Sequence, residues 1–227
     1  MFQNEKTLGK RVVLFVLSLT FYACSPAADE ILRITTDRIY FLNGDTSIEL
    51  GARDTFHVFS GQNLLVYVED RLVENTMKMH FFNFTGQEIA ATITVHGSFS
   101  FIFAEAAERV LAGSLWTWHN RSYLFDLSGN LLSTLVHNPE SKEIGITSDE
   151  KYLWFVTNRM RPLYPGETPF RPDLFPGFMY TPYNHIMLFD ARTGEFLDSF
   201  STRETTFTFT IDGMEYSINM TPPDIPG

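Results

Sequence analysis

The sequence has a single cysteine, Cys24, among its 227 residues. A chain with one cysteine forms no internal disulfide, so its stability must come from a packed core. Positive charge is also scarce, because 17 Lys and Arg residues stand against 27 Asp and Glu residues and give a net charge of −10. This balance argues against nucleic acid and against anionic lipid head groups as partners.

The N-terminal apolar run lacks the length to cross a membrane. Residues 12–22 carry no charge and follow Lys6, Lys10 and Arg11, but a bilayer core takes about 20 apolar residues. A short apolar run that follows positive charges and precedes a small residue is typical of a secretory signal peptide. We therefore expect residues 1–23 to be removed, which would leave the mature chain still more acidic.

Cys24 lies directly after this run, in the sequence Phe-Tyr-Ala-Cys-Ser. The stretch resembles the signal of bacterial lipoproteins, in which the cysteine becomes the lipidated first residue. The resemblance implies an acyl (palmitate) anchor in the cell envelope, with residues 24–30 as a tether. Each buried methylene of such an anchor contributes about 0.8 kcal/mol to membrane binding. Because Ser25 rather than Asp follows the cysteine, the resemblance also implies the outer membrane in bacteria that have one. The alternative is an ordinary signal peptide with a chance cysteine.

The rest of the chain favours β-structure. Aromatic residues make up 15% of the sequence, with 22 phenylalanines, and runs of helix-favouring residues are scarce. The segment 82–86 (FNFTG) aligns without a gap to 125–129 (FDLSG), 43 positions later, and a third copy spans 189–194 (FDARTG). Each copy is accompanied by short apolar segments, which gives four strands in about 43 residues, the period of a propeller blade.

The Asx and Gly residues of these copies are predicted to form turns. A short Asx side chain hydrogen-bonds backbone N–H groups that follow it, and glycine adopts positive φ without steric cost. We therefore assign a structural rather than a catalytic role to them. The predicted turn residues are Asn83, Gly86, Asp126, Gly129, Asp190 and Gly194, together with Asp212 and Gly213 near the C-terminus.

The segment 206–220 has alternating apolar and polar residues on both sides of Asp212-Gly213, which predicts a two-residue hairpin with Ile211 opposite Met214. We predict an all-β, β-propeller-like domain over 31–220 with about four four-stranded blades, one of them shared between the N- and C-terminal strands. Sharing would remove exposed sheet edges. A dimer that forms a larger ring and an open sheet array are alternatives. Residues 221–227 form a Pro-rich tail that cannot continue a central strand.

The last copy carries a family resemblance. The segment Phe155-Val156-Thr157-Asn158 and the Asp190 to Gly194 turn resemble the YVTN-type β-propeller repeat of surface and periplasmic proteins, over residues 143–200. The resemblance implies the fold far more than the function.

One segment, 160–183, is not required by the repeat. It lies between the second and third strands of its unit and combines prolines with aromatic residues and arginines. Long loops are usually functional or disordered, and this composition suits recognition of a protein or a glycan. The alternative is a plug that packs locally against the domain. The candidate ligand-binding residues are Arg161, Tyr164, Phe170, Arg171, Phe175, Phe178, Tyr180 and Tyr183.

The sequence shows no catalytic or cofactor motif. Its six histidines have no metal-ligand spacing, and it contains neither a nucleophile elbow nor a phosphate loop. Glu105 and Glu108 are predicted to belong to a solvated turn rather than to an acid/base pair. We therefore expect a membrane-anchored binding module without metal or cofactor. A periplasmic scaffold for envelope proteins is the alternative, and an enzyme with a site on the blade loops is a third hypothesis.

Overall fold

The computed structural model describes residues 32–41, 46–97, 99–114, 120–137, 141–162, 165 and 178–222. The predicted signal peptide and tether lie outside these residues. No helix in the described part of the chain is long and apolar enough to cross a membrane. Within the described ranges the regular structure is β-strand, apart from the single 3₁₀ turns Ser60–Gln62 and Leu72–Glu74.

The strands follow one another at short intervals along the chain. They are β1 (Arg33–Ile34), β2 (Arg38–Tyr40), β3 (Ser47–Glu49), β4 (Thr55–Phe59), β5 (Leu64–Arg71), β6 (Thr76–Asn83), β7 (Ile93–His96), β8 (Phe99–Ala104), β9 (Arg109–Ser114), β10 (Arg121–Asp126), β11 (Leu131–Val136), β12 (Ser141–Ile146), β13 (Tyr152–Pro162), β14 (Phe178–Asp190), β15 (Phe196–Thr202), β16 (Thr206–Ile211) and β17 (Met214–Asn219).

These strands form five antiparallel sheets. Strands β4–β7, β8–β11 and β12–β15 make three four-stranded sheets, here called blades 1, 2 and 3. Strands β1–β3 make a three-stranded N-terminal sheet, and β16–β17 make the two-stranded C-terminal hairpin. Within each blade every strand pairs with its neighbour in the sequence, as in a propeller blade. The prediction of an all-β, propeller-like fold with four-stranded blades is confirmed.

Alternating side chains of each blade serve two separate cores. In β5, Leu64, Val66 and Val68 pack between blades 1 and 2, whereas Leu65 packs against the N-terminal sheet. Blade 3 repeats this arrangement, because Phe155 packs against blade 2 and Val156 packs against the C-terminal hairpin. The period-2 alternation of a strand therefore makes both faces of a blade apolar, and the five sheets stack in chain order.

The two terminal sheets do not join into one blade. Among the described residues, β16 pairs only with β17, and β2 pairs with β1 and β3. The expected shared blade is thus not found, and the sheets are not closed into a ring. The physical reason lies at the edge of β2, where Arg33 and Ile34 pair with Tyr40 and Ile39. The chain's own β1 takes the edge that a shared blade would have given to the hairpin.

Both ends of the stack present polar faces to solvent. On the hairpin, Thr206 bonds Asn219 and Thr208 bonds Ser217 across the exposed face. On the N-terminal sheet, Arg38 lies 3.5 Å from Glu49. Because these outer faces are polar, no further sheet is required to cover them, as with the capping repeats of repeat proteins.

The hairpin has the register that its sequence predicted. Ile211 pairs with Met214, and Phe209 pairs with Tyr216. Asp212 and Gly213 both have positive φ, at 52° and 77°, as the tight turn of a hairpin requires. The apolar residues of its two strands consequently share the face that packs on blade 3.

Reciprocal Tyr–Asp hydrogen bonds hold the hairpin on blade 3. The Tyr216 hydroxyl donates to Asp149 at 2.9 Å, and the Tyr152 hydroxyl donates to Asp212 at 3.3 Å. Burial opposes ionisation of Asp149, but hydrogen bonds from Thr147, Tyr216 and Lys151 outweigh it and lower its pKa to about 2. Burial and the Asp149 carboxylate raise the pKa of Tyr216 to about 12.

Candidate functional site

The connections between strands lie at two ends of the stack. The turns between the first and second strands of each blade, and between the third and fourth, lie at one end, here called the lower end. The second strand of each blade ends, and the third begins, at the opposite, upper end, where the last strand of one blade also ends and the first strand of the next begins. This division follows from the antiparallel order of the strands. Strand β13 ends at Pro162 and β14 begins at Phe178, so the described strand residues of the predicted insertion lie at the upper end.

The two central strands of blade 3 continue beyond their outer neighbours. Pairing of β12 with β13 ends at Thr157, and pairing of β14 with β15 begins at Asn184. Strands β13 and β14 nevertheless pair with each other further out, through Met160–Tyr180, Arg161–Met179 and Pro162–Phe178. Residues 158–162 and 178–183 thus form a two-stranded extension, here called the ribbon. Part of the predicted insertion is strand rather than loop.

The candidate ligand-binding residues fall into three groups. The backbones of Arg161, Phe178 and Tyr180 lie in the ribbon strands. Tyr183 lies at the base of the ribbon, half-buried, with the Arg203 guanidinium 4.5 Å from its ring centroid. This is within cation–π distance. The remaining four, Tyr164, Phe170, Arg171 and Phe175, lie outside the described residues.

The predicted turn residues lie at the lower end. Asp126 Oδ1 accepts hydrogen bonds from the N–H groups of Ser128 and Asn130 at 2.9 and 2.8 Å. Burial opposes ionisation of Asp126, but its hydrogen bonds from Asn130 and Ser128 outweigh that effect and lower its pKa. Asn83 and Asp190 accept equivalent bonds in blades 1 and 3. All three side chains orient their own turns.

The same lower end joins each blade to the next. Glu105 Oε1 lies 3.0 Å from His57 Nε2, and Gln62 donates to Glu108 at 2.8 Å. Each glutamate of the blade 2 turn therefore contacts a separate residue of blade 1. The ring of His57 also stacks on Phe103 at 5.1 Å. These glutamates link two blades, and they do not face each other as an acid and a base would.

A buried polar cluster lies at the upper end, where blades 2 and 3 meet. His137 Nε2 lies 2.9 Å from Ser122 Oγ, and its Nδ1 lies 2.9 Å from Ser141 Oγ. The His137 ring stacks on Phe155 at 4.7 Å. Ser122 belongs to blade 2 and Ser141 to blade 3, and all three polar residues are buried. The cluster ties two blades together through hydrogen bonds from one histidine to a serine of each blade.

A short tyrosine–aspartate hydrogen bond fixes the upper end of blade 1. The Tyr67 hydroxyl donates to Asp54 at 2.5 Å, and Asp54 also accepts from the N–H groups of Gly51 and Asp70. Burial of Tyr67 and the neighbouring Asp54 carboxylate raise the pKa of the phenol. A perturbed titratable group is often functional, but the partners of this one fasten the connection between the N-terminal sheet and blade 1.

Sequence reasoning missed the residues that contact the C-terminal segment. Lys142, Glu143 and Asn184 bind the backbone of Thr221 and Pro222. No local pattern identifies them, because Lys142 and Glu143 lie about 80 positions before the segment that they contact. In the described part of the chain, no group of three or more His, Cys, Asp and Glu residues is placed to hold a metal ion.

Solved structures with similar architecture come from several proteins. The acylaminoacyl peptidase of Pyrococcus horikoshii is similar with 12% identity and a TM-score of 0.41, over 65% of this chain and 24% of that chain. The β-propeller domain of the trilobed protease from Pyrococcus furiosus has 11% identity and a TM-score of 0.36, over 65% and 42%. The Dos1 propeller has 13% identity and a TM-score of 0.39, over 73% and 42%.

The similarity to these proteins is one of fold. This chain spans about a quarter of the length of the peptidase that it matches. The order in which its own strands pair is that of propeller blades. No protein-family model matches the sequence, and no curated protein matches it.

Proposed function

We propose that this chain is an exported, lipid-anchored binding module that holds a protein or glycan ligand at its upper end, through the ribbon. The propeller-like sheets are the frame and the ribbon is the contact element. The anchor is the acyl-modified Cys24, which the N-terminal sequence favours. Propeller-like folds are consistent with this role, since they hold variable loops on a rigid stack of sheets.

The observation that carries the proposal is the pairing of β13 with β14 beyond the rest of their sheet. The blade is complete at Thr157 and Asn184, where the outer strands end. An isolated two-stranded ribbon is marginally stable in water, so the extension adds little to the stability of the fold. A marginal element that extends from a rigid blade within the aromatic-rich segment 160–183 is better suited to contact than to support.

Replacing the ribbon tests the role of the contact element. A two-residue Asn-Gly turn in place of residues 159–183 would join Asn158 directly to its partner Asn184. We expect the thermal unfolding midpoint of the variant to lie within a few degrees of that of wild type. We also expect the variant to lose the envelope partners that wild type retains after chemical crosslinking. Unfolding of the domain would contradict the proposal, because the segment would then be core.

A matched control separates the ribbon from the rest of the upper end. Leu72 and Val73 are exposed at the connection between β5 and β6 of blade 1. Replacing both with serine alters the same end of the stack without touching blade 3. We expect crosslinked partners to remain, and their loss would show that the whole upper end makes the contact.

The anchor is tested separately. Expression in a bacterium with an outer membrane should give incorporation of labelled palmitate that Cys24→Ala abolishes. Digestion by protease on intact cells would favour ligand capture at the surface. Protection until the outer membrane is broken would favour the scaffold role inside the envelope.

A further inference from the structure

The C-terminal segment after the hairpin is bound by side chains of blade 3. Glu143 Oε1 accepts from the Thr221 N–H at 2.6 Å and also from the Thr221 hydroxyl. Asn184 Nδ2 donates to the Thr221 carbonyl at 3.0 Å, and Lys142 Nζ donates to the Pro222 carbonyl at 2.8 Å. Every polar group of Thr221, and the carbonyl after it, therefore has a side-chain partner.

Two of these three side chains are almost wholly buried. Lys142 is 6% exposed and Asn184 is 0% exposed, and Lys142 also lies 3.4 Å from Asn184 Oδ1. No carboxylate of the described residues lies within salt-bridge distance of Lys142. Burial of an ammonium group is costly unless it is well paired. Carbonyl oxygens of the bound segment and of Asn184 supply that pairing, so the site depends on the segment that fills it.

A β-bulge creates this arrangement. Ser141 pairs with Thr157 and Glu143 pairs with Val156, which leaves Lys142 as an extra residue in β12. A bulge redirects side chains at the edge of a sheet and is common next to binding sites. Here it lets two consecutive residues, Lys142 and Glu143, reach the same short segment. The site lies at the β12 edge of blade 3, and its residue Asn184 pairs with Asn158 at the base of the ribbon.

The hydrogen-bonding groups of Thr221 and Pro222 indicate which sequences the site can bind. Glu143 selects a residue with both an N–H and a hydroxyl, which threonine supplies. Proline has no N–H, so Pro222 brings no further donor that the site would have to satisfy. The same dipeptide occurs twice more in the chain, at 168–169 and 181–182. Thr-Pro is thus the class of sequence that fits these three side chains.

We propose that Lys142, Glu143 and Asn184 form a peptide-binding site for Thr-Pro segments, which the chain's own Thr221–Pro222 fills in cis. A Thr-Pro segment of another protein competes for this site. Because a tethered segment has an effective concentration in the millimolar range, the cis segment keeps competitors out unless it is displaced. This site shares no side chain with the ribbon, although Asn184 pairs with Asn158 at the base of the ribbon. Its test measures peptide binding rather than crosslinked partners, so either proposal can fail without the other.

The experiment uses a chain that ends at Met220 and a labelled peptide with the sequence of residues 220–227, MTPPDIPG. Fluorescence anisotropy should show at least tenfold tighter binding to the truncated chain than to the full chain. Replacing the peptide's threonine by valine should weaken binding about tenfold, whereas serine should largely retain it. Circular dichroism and thermal unfolding check that the truncated chain is folded.

Lys142→Met in the truncated chain should abolish binding, and Glu215→Ala, on the exposed outer face of the hairpin, should leave it unchanged. Failure of a folded truncated chain to bind the peptide would overturn the proposal. Equal binding of the valine and threonine peptides would also overturn it.

If the truncated chain does not fold, the full chain with Thr221→Val replaces it in the binding measurement. This variant keeps the shape of the cis segment and removes the hydroxyl that Glu143 accepts. Tighter binding of the peptide to this variant than to wild type supports the site. Equal binding to the two chains overturns it.

Discussion

The three blades and the two terminal sheets have the same alternation of side chains along their strands, but they differ in how many of their faces are apolar. In a blade both faces are apolar, and Phe155 and Val156 on neighbouring positions of β13 are both wholly buried on opposite sides. In the hairpin only one face is apolar, so Phe209 is buried while Thr208 and Thr210 are exposed. The difference shows where the stack stops, since a sheet with one polar face accepts one neighbour only.

The largest effect is expected inside a blade. Phe155→Ala should lower the free energy of unfolding by about 3–5 kcal/mol, because it removes a wholly buried ring between blades 2 and 3. Urea denaturation followed by tryptophan fluorescence measures the change. A loss below about 1 kcal/mol would mean that this core does not stabilise the stack.

Alanine substitutions at two turn glycines distinguish the cost of a steric clash between blades from the cost of backbone strain. Gly194 has φ +74°, and a Cβ added there would lie 2.6 Å from the Cβ of Ser133 in blade 2, whereas Gly213 has φ +77° and open space around it. Both substitutions to alanine carry the cost of left-handed backbone, about 1–2 kcal/mol. Thermal unfolding should show a larger loss for Gly194→Ala, and equal losses would disprove the contact between blades.

The hydrogen bond between Tyr216 and Asp149 should make the free energy of unfolding fall at low pH. The pKa of Asp149 is lowered from 3.8 to about 2, so its contribution is complete above the ordinary pKa and is lost as pH falls through about 2. Tyr216→Phe removes one cause of this shift. We expect a smaller loss of stability than for Gly194→Ala, and the difference from wild type should shrink between about pH 5 and pH 2. A constant difference would argue against the bond.

The smallest effect is expected on the outer face of the hairpin. Thr208→Ala removes only a hydroxyl contact with Ser217 on an exposed face, so its effect should stay within about 0.5 kcal/mol. Sedimentation should also find the variant and wild type in the same assembly state. A large loss or a change of assembly would show that a further sheet covers this face in solution.

Local patterns predicted much of the architecture. Alternation indicated the strands, and the Asx–Gly spacing located the turns at which Asp126 and Asp190 now accept backbone hydrogen bonds. The Asp212-Gly213 turn fixed the hairpin register, including the pairing of Ile211 with Met214. These features depend on residues within a few positions of one another, whose geometry is set by backbone sterics and side-chain period.

The sequence by itself thus determined the strands, their four-strand grouping and their turns. Only the tertiary structure decided that the stack stays open, because that depends on Arg33 and Ile34 pairing with β2 in place of the distant hairpin. It alone also brought Lys142 to Pro222 and His137 between Ser122 and Ser141. Such contacts join residues far apart in the chain, and their partners are chosen by burial and hydrogen bonding in the folded state rather than by any local pattern.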